Sequence, residues 1–213
     1  MDANFWHERW DENRIGFHQE AANPLLVKNF KALALEDGAR IFVPLCGKSL
    51  DIAWLLDCGH RVVGAELSRI AIEQLFNDLG VEPIITKVGD LERFSAPDLD
   101  IYVGDIFDLT ADQLGPVDAA YDRAALVALP DDMRARYAKH LHSITGGARQ
   151  LLICFEYDQS VMNGPPFSVS KAEIERVHGA RYSVQELSRS ALQGGLKGKF
   201  PAQETVWLLS ERR

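Results

Sequence analysis

Short apolar runs alternate with amphipathic stretches from residue 40 onward. RIFVPL (40–45), RVVGAEL (61–67), LDIYVGD (99–105), PVDAAYD (116–122) and RQLLICFEY (149–157) have the length and apolar content of buried strands. SLDIAWLLDCG (49–59) predicts a helix ended by Gly59. In SRIAIEQLFNDLG (68–80), Ser68 is placed as the N-cap, Ile72, Phe76 and Leu79 share one face, and Gly80 stops the helix. DDMRARYAKHLHSI (131–144) turns Met133, Tyr137, Leu141 and Ile144 inward. Ser170 and Glu173 have capping-box spacing and open a helix that Gly179 ends. A hairpin of PIITKV and LERF is predicted around Gly89-Asp90. YSVQELS and ETVWLLSE, joined by GGLKGKFPAQ, predict an antiparallel pair at a sheet edge.

This alternation predicts an α/β protein with a doubly wound, mostly parallel sheet of seven strands, helices on both faces and an antiparallel C-terminal edge. Residues 1–213 are expected to form a single domain. Residues 1–39 precede the first core strand, and Asn23-Pro24 caps a helix with Leu26, Phe30 and Leu33 on one face. Lacking a partner strand, this front segment is expected to pack over the sheet edge near a ligand as a helical lid.

Composition narrows the partners. The net charge of −8 argues against nucleic acid, which needs a positive face. No apolar run reaches the roughly 18–20 residues that span a bilayer, and MDANFWHERWDENR has no signal-peptide core, so a cytoplasmic protein is expected; no interface signal is evident, and a monomer is expected. Cys46, Cys58 and Cys154 are odd in number and form no CxxC pair, so each is expected to be a small buried residue. No metal site is expected. Asp11, Asn13 and Gly16 suggest a calcium loop, but its closing glutamate would fall on Ala22. His140 and His142 are two apart on a helix and do not share a face. No GxSxG occurs, so a hydrolase elbow is absent.

In a doubly wound sheet, ligands bind at the carboxyl ends of the strands. After the first strand comes PLCGKS (44–49), with one glycine, Gly47, where a dinucleotide turn has three. A pyrophosphate needs those glycines to approach the backbone. An adenosine without that group does not, and S-adenosylmethionine is such a ligand. Glu66 lies 19 residues beyond Gly47, a spacing suited to two ribose hydroxyls; the alternative is a solvated strand-end glutamate. Asp105 and Ile106 after the third strand supply an acceptor and an apolar shelf for adenine.

Six stretches resemble the thiopurine S-methyltransferase family, especially its bacterial members. They are FWHERWDENRIGFH (5–18), FVPLCGKSLDIAWL (42–55), GHRVVGAELS (59–68), GDIFDL (104–109), YDRAALVALP (121–130) and GPPFSVSKAEIERVHG (164–179). The last 30 residues match poorly apart from VWLL. The resemblance implies a Rossmann-like class I methyltransferase fold with S-adenosylmethionine as methyl donor. It implies that Trp10 covers the donor, Leu45 contacts it from the turn, Glu66 holds its ribose, and Arg123 lies near its carboxylate and the transfer site. The substrates implied are aromatic and heterocyclic thiols, with selenium and tellurium species also associated with bacterial members. Phe17, Pro166 and Phe167 are candidate substrate walls. Arg123, or an arginine from the C-terminal third, would favour a thiolate. No residue is expected to act as a covalent nucleophile. The alternatives are methylation of a small nucleophile such as halide or thiocyanate, and donor binding without turnover.

Overall fold

The computed structural model describes residues 3–16 and 18–212. Among the described residues, nine strands form one sheet: β1 (Arg40–Pro44), β2 (Arg61–Glu66), β3 (Ile84–Val88), β4 (Leu91–Ala96), β5 (Leu99–Val103), β6 (Ala119–Arg123), β7 (Arg149–Glu156), β8 (Tyr182–Ala191) and β9 (Gln203–Glu211). The helices are α1 (Ala3–Asp11), α2 (Pro24–Asn29), α3 (Leu50–Asp57), α4 (Arg69–Leu79), α5 (Ala111–Leu114), α6 (Asp131–Thr145) and α7 (Lys171–His178). The strand order is β3-β4-β5-β2-β1-β6-β7-β9-β8. The central five strands pair in parallel, while β3, β4, β8 and β9 pair antiparallel at the two edges. The count of nine corrects the expected seven. The hairpin at Gly89-Asp90 joins the sheet through β4 against β5, and its apolar anchors, Leu91 and Phe94, are buried.

Local chemistry sets the element ends as expected. Asn23 accepts the Leu25 N–H at 2.8 Å ahead of Pro24, Ser68 caps α4, and Gly80 leaves α4 at φ +67°. Ser170 accepts the Glu173 N–H. The Glu173 carboxylate turns to Arg176 and Arg134, whose hydrogen bonds hold it down to about 2 against ordinary burial.

Alternation along each strand divides the core into two layers. Phe42, Tyr102, Leu152 and Trp207 face α6 and α7 with Tyr137, Leu141 and Ile174. Ile41, Ile101, Leu151 and Val206 face the other layer, with Leu26, Leu55 and Phe76. Each such large apolar side chain stabilises the fold by about 1.5–3 kcal/mol relative to exposure.

The front segment has two parts. Residues 23–35 belong to the core, because Leu26 and Leu33 are fully buried. Helix α1 packs instead against α4 and over the carboxyl ends of the strands. Cys46 and Cys154 are buried free thiols, but Cys58, just past the end of α3, is exposed, contrary to expectation. Among the described residues, no helix is long and apolar enough to cross a membrane.

Candidate active site

After β1 and β2, the chain adds β5 on one side and β6 and β7 on the other, so a crevice opens where the direction of winding changes. A cavity of about 550 Å³ fills it, within the range of small-molecule sites. Backbone turns at the strand ends form its rim. Leu45 (φ +45°) follows β1, Gly104 (φ +141°) follows β5 and Ala124 (φ +61°) follows β6. Left-handed backbone at Leu45 and Ala124 is strained for non-glycine residues, and such strain persists where the surrounding fold over-determines it.

Glu66 joins two of these strand ends. Its Oε2 accepts the Gly47 N–H at 2.8 Å and its Oε1 accepts the Ser68 N–H at 2.9 Å. One carboxylate thus fixes the turn after β1 and the start of α4. Each oxygen retains a lone pair for a ligand hydroxyl. Glu66 is 7% exposed; burial raises its pKa, and the N–H bonds pull it back. Gly47 has φ +52°, and a β-carbon there would stand 3.0 Å from Cζ2 of Trp10. The buried indole of Trp10 therefore lies directly over the turn.

Asp105 caps the short turn Ile106–Asp108 by accepting the Phe107 N–H at 3.0 Å. The Ile106 carbonyl accepts from Nε2 of His140 at 2.7 Å, and the Arg136 guanidinium lies 3.7 Å over the Phe107 ring. Desolvation lowers the His140 pKa, and the bond to the Ile106 carbonyl offsets part of that. The floor is a buried network in which Asp51 accepts the Asn23 N–H at 2.6 Å and the Tyr121 hydroxyl at 3.0 Å. Behind it, Asp122 accepts from Leu126 N–H and Tyr137 Oη at 3.0 and 2.7 Å. Burial raises Asp122 to about 6 despite these bonds.

The cavity brings together Trp10, Leu45, Glu66, Asp105, Ile106, Arg123 and Pro166 from among the residues singled out in the sequence. Phe17 lies outside the described residues. Phe167 is not among the cavity-lining residues: its ring packs against Gly164 and 5.5 Å from the Arg134 guanidinium, because its N–H is tied to the Val127 carbonyl at 2.6 Å. Phe155 and Pro165 line the cavity. Among the described residues, no arginine of the C-terminal third lines it. Arg189 is held by Glu156 and Glu186, and Lys197 reaches the cavity instead. Glu204, on β9, also lines it and was missed in the sequence. It reads there as the polar start of an edge strand, and nothing local shows which way it points.

This layout has the fold of class I S-adenosylmethionine-dependent methyltransferases, with which solved structures agree. A 1,6-didemethyltoxoflavin-N1-methyltransferase from Burkholderia thailandensis, solved with bound S-adenosylhomocysteine, superposes with a TM-score of 0.66 at 15% identity, covering 98% of this chain and 87% of that one. The magnesium protoporphyrin IX methyltransferase of Synechocystis, also with bound S-adenosylhomocysteine, gives 0.62 at 14% identity, covering 98% and 100%. The profile of the thiopurine S-methyltransferase family matches residues 1–212, so the chain belongs to that family. A thiopurine S-methyltransferase of Xanthobacter autotrophicus is 60% identical over 210 residues, covering 98% of this chain and 99% of that one. One from Teredinibacter turnerae is 50% identical over 210 residues, covering 99% and 98%.

Proposed function

We propose that this chain methylates the sulfur of aromatic and heterocyclic thiols such as thiopurines, with S-adenosylmethionine as the donor. The observation that carries the reading is a single cavity with a ribose-type acceptor at one end and an apolar slot beside a cation at the other. At the first end, Glu66 is buried, already oriented by two N–H bonds, and has spare lone pairs. At the second, Ile153, Phe155, Pro165 and Pro166 line the wall beside Arg123.

These residues fit the donor. Glu66 would hold its ribose, Asp105 and Ile106 its adenine, Leu45 and Trp10 its middle, and Arg123 its carboxylate side. Bound there, the donor supplies an electrophilic methyl group on a sulfonium sulfur. The chain contributes alignment and exclusion of water. Trp10 and α1 cover the turn, and the Trp10 indole face suits a cation. Residues 3–16 act as the lid of a single methyltransferase domain. Arg123 favours a thiolate by charge. The chain works as a cytoplasmic monomer.

The competing readings are a small nucleophile and donor binding without turnover. The size and apolar wall of the cavity favour an aromatic ring over a halide or thiocyanate. A panel assay with labelled donor tests this, using thiophenol, 6-mercaptopurine, iodide, thiocyanate and selenite. Labelled aryl thioether is expected. Turnover of iodide alone, or donor binding with no transfer to any acceptor, would overturn the proposal.

A further inference from the structure

The register across β6, β7 and β9 sets two charged side chains on the same face of the sheet. Arg123 pairs with Ile153 in parallel, and Ile153 pairs with Val206 in the antiparallel ladder. Paired residues share a face, as do alternate residues of one strand. Arg123, Ile153, Val206 and Glu204 therefore project from the same face. Strand β7 lies between the two charges, and Glu204 stands two residues along β9 from Val206, so their backbones are roughly 12 Å apart, two strand spacings across and two residues along. Phe155, opposite Glu204 in the ladder, is part of the wall between them. Pro166 and Leu196 border the same space. The result is a slot floored by the apolar Ile153 and Phe155, with a guanidinium on one side and a carboxylate on the other.

The other carboxylates nearby are committed elsewhere. Glu156 and Glu186 bind Arg189, and Glu66 binds the Gly47 and Ser68 N–H groups. Among the described residues, Arg123 from β6 is the charge that acts on Glu204, and Lys197 from the β8–β9 connection lines the same cavity. His18, from the segment after α1, feels Arg123 in turn. Strand β7 contributes apolar Phe155, and β8 places Ser190 opposite Glu204.

A thiol that enters this slot as the neutral form carries a proton, on sulfur or on a ring nitrogen of its thione tautomer. Methylation must release it, or a cation results. We propose that Glu204 is the proton acceptor of the reaction, taking that proton from an aromatic thiol seated between Glu204 and Arg123. The inference rests on the methyltransferase reading above. The new carbon–sulfur bond forms on the substrate sulfur. The methyl–sulfonium bond breaks, and its electron pair stays on the departing sulfur as a neutral thioether. The proton ends on the Glu204 carboxylate and passes to solvent when product leaves. Burial raises the Glu204 pKa, and Arg123 lowers it. A raised carboxylate is a better match to a weakly acidic donor.

The experiment compares wild type with Glu204→Gln, isosteric at a half-buried site, using two thiols. Benzyl mercaptan is largely protonated at neutral pH, and 4-nitrothiophenol is already an anion. With benzyl mercaptan, kcat is expected to fall about 100-fold or more at pH 7 with KM little changed, as for a lost general base. The loss should shrink as pH rises toward the pKa of the thiol. With 4-nitrothiophenol, kcat should hold within about threefold, since no proton is transferred. Wild type alone gives a second reading. Its turnover of benzyl mercaptan should drop on acidification through a carboxylate ionisation that the variant lacks. Equal losses with both thiols, no loss with either, or a wild-type profile without that acid limb would overturn the role of Glu204. Failure of wild type to methylate any thiol would instead overturn the proposed function.

Discussion

Replacement of Glu66 by alanine separates architecture from ligand binding at the most connected point of the site. The change removes the acceptors of the Gly47 and Ser68 N–H groups, at 2.8 and 2.9 Å. A buried donor left unsatisfied costs about 1–3 kcal/mol. Two such donors set an upper range of about 2–6 kcal/mol. Relief of carboxylate burial, which raises the Glu66 pKa, offsets part of this. A net loss of about 2–3 kcal/mol lowers the melting temperature of a chain this long by roughly 4–12 °C. Donor binding should weaken by a further 1.5–3 kcal/mol, about 10- to 150-fold in Kd, because ribose hydroxyls lose a charged acceptor. Calorimetric titration with S-adenosylmethionine, at a temperature where circular dichroism shows the variant folded, measures this. Glu66→Gln keeps the shape and one acceptor oxygen but turns an amide N–H toward one of the two donors. It should fall between alanine and wild type. A folded Glu66→Ala variant with unchanged donor affinity would remove Glu66 from the binding site. An unchanged melting temperature would refute its role as the joint between β1 and α4.

Gly47→Ala should weaken donor binding about tenfold or more, because φ +52° is strained for alanine and its methyl would meet the Trp10 ring at 3.0 Å; the same titration reads it. Asp122 ionises near 6 in the folded protein against an ordinary 3.8, so folding favours its protonated form. That stability is present below about pH 4 and lost as pH rises through 6. Urea unfolding should therefore show Asp122→Asn gaining on wild type by on the order of 3 kcal/mol between pH 4 and 8, and a pH-independent difference would refute it. Donor binding should increase hydrogen-exchange protection in α1 while leaving residues 23–35, already in the core, unchanged. Equal protection of α1 with and without donor would count against a lid.

Much of this molecule is written in local pattern. The strand and helix alternation, the caps at Asn23, Ser68 and Ser170, and the acidic end of β2 follow from periods, caps and turn chemistry that a few adjacent residues decide. Glu66 was legible because the turn and the next strand end are joined by one helix of predictable length. The sequence pattern also contained the hairpin at Gly89-Asp90, but a hairpin does not say whether it joins a sheet; pairing of β4 with β5 decided that and made nine strands. The placement of Trp10 over Gly47, the packing of the Phe167 ring against Gly164 and the setting of Arg123 and Glu204 on one face either side of β7 needed the tertiary structure. Each depends on register or packing between segments far apart in the chain, and a shift of one residue reverses the face a strand side chain occupies.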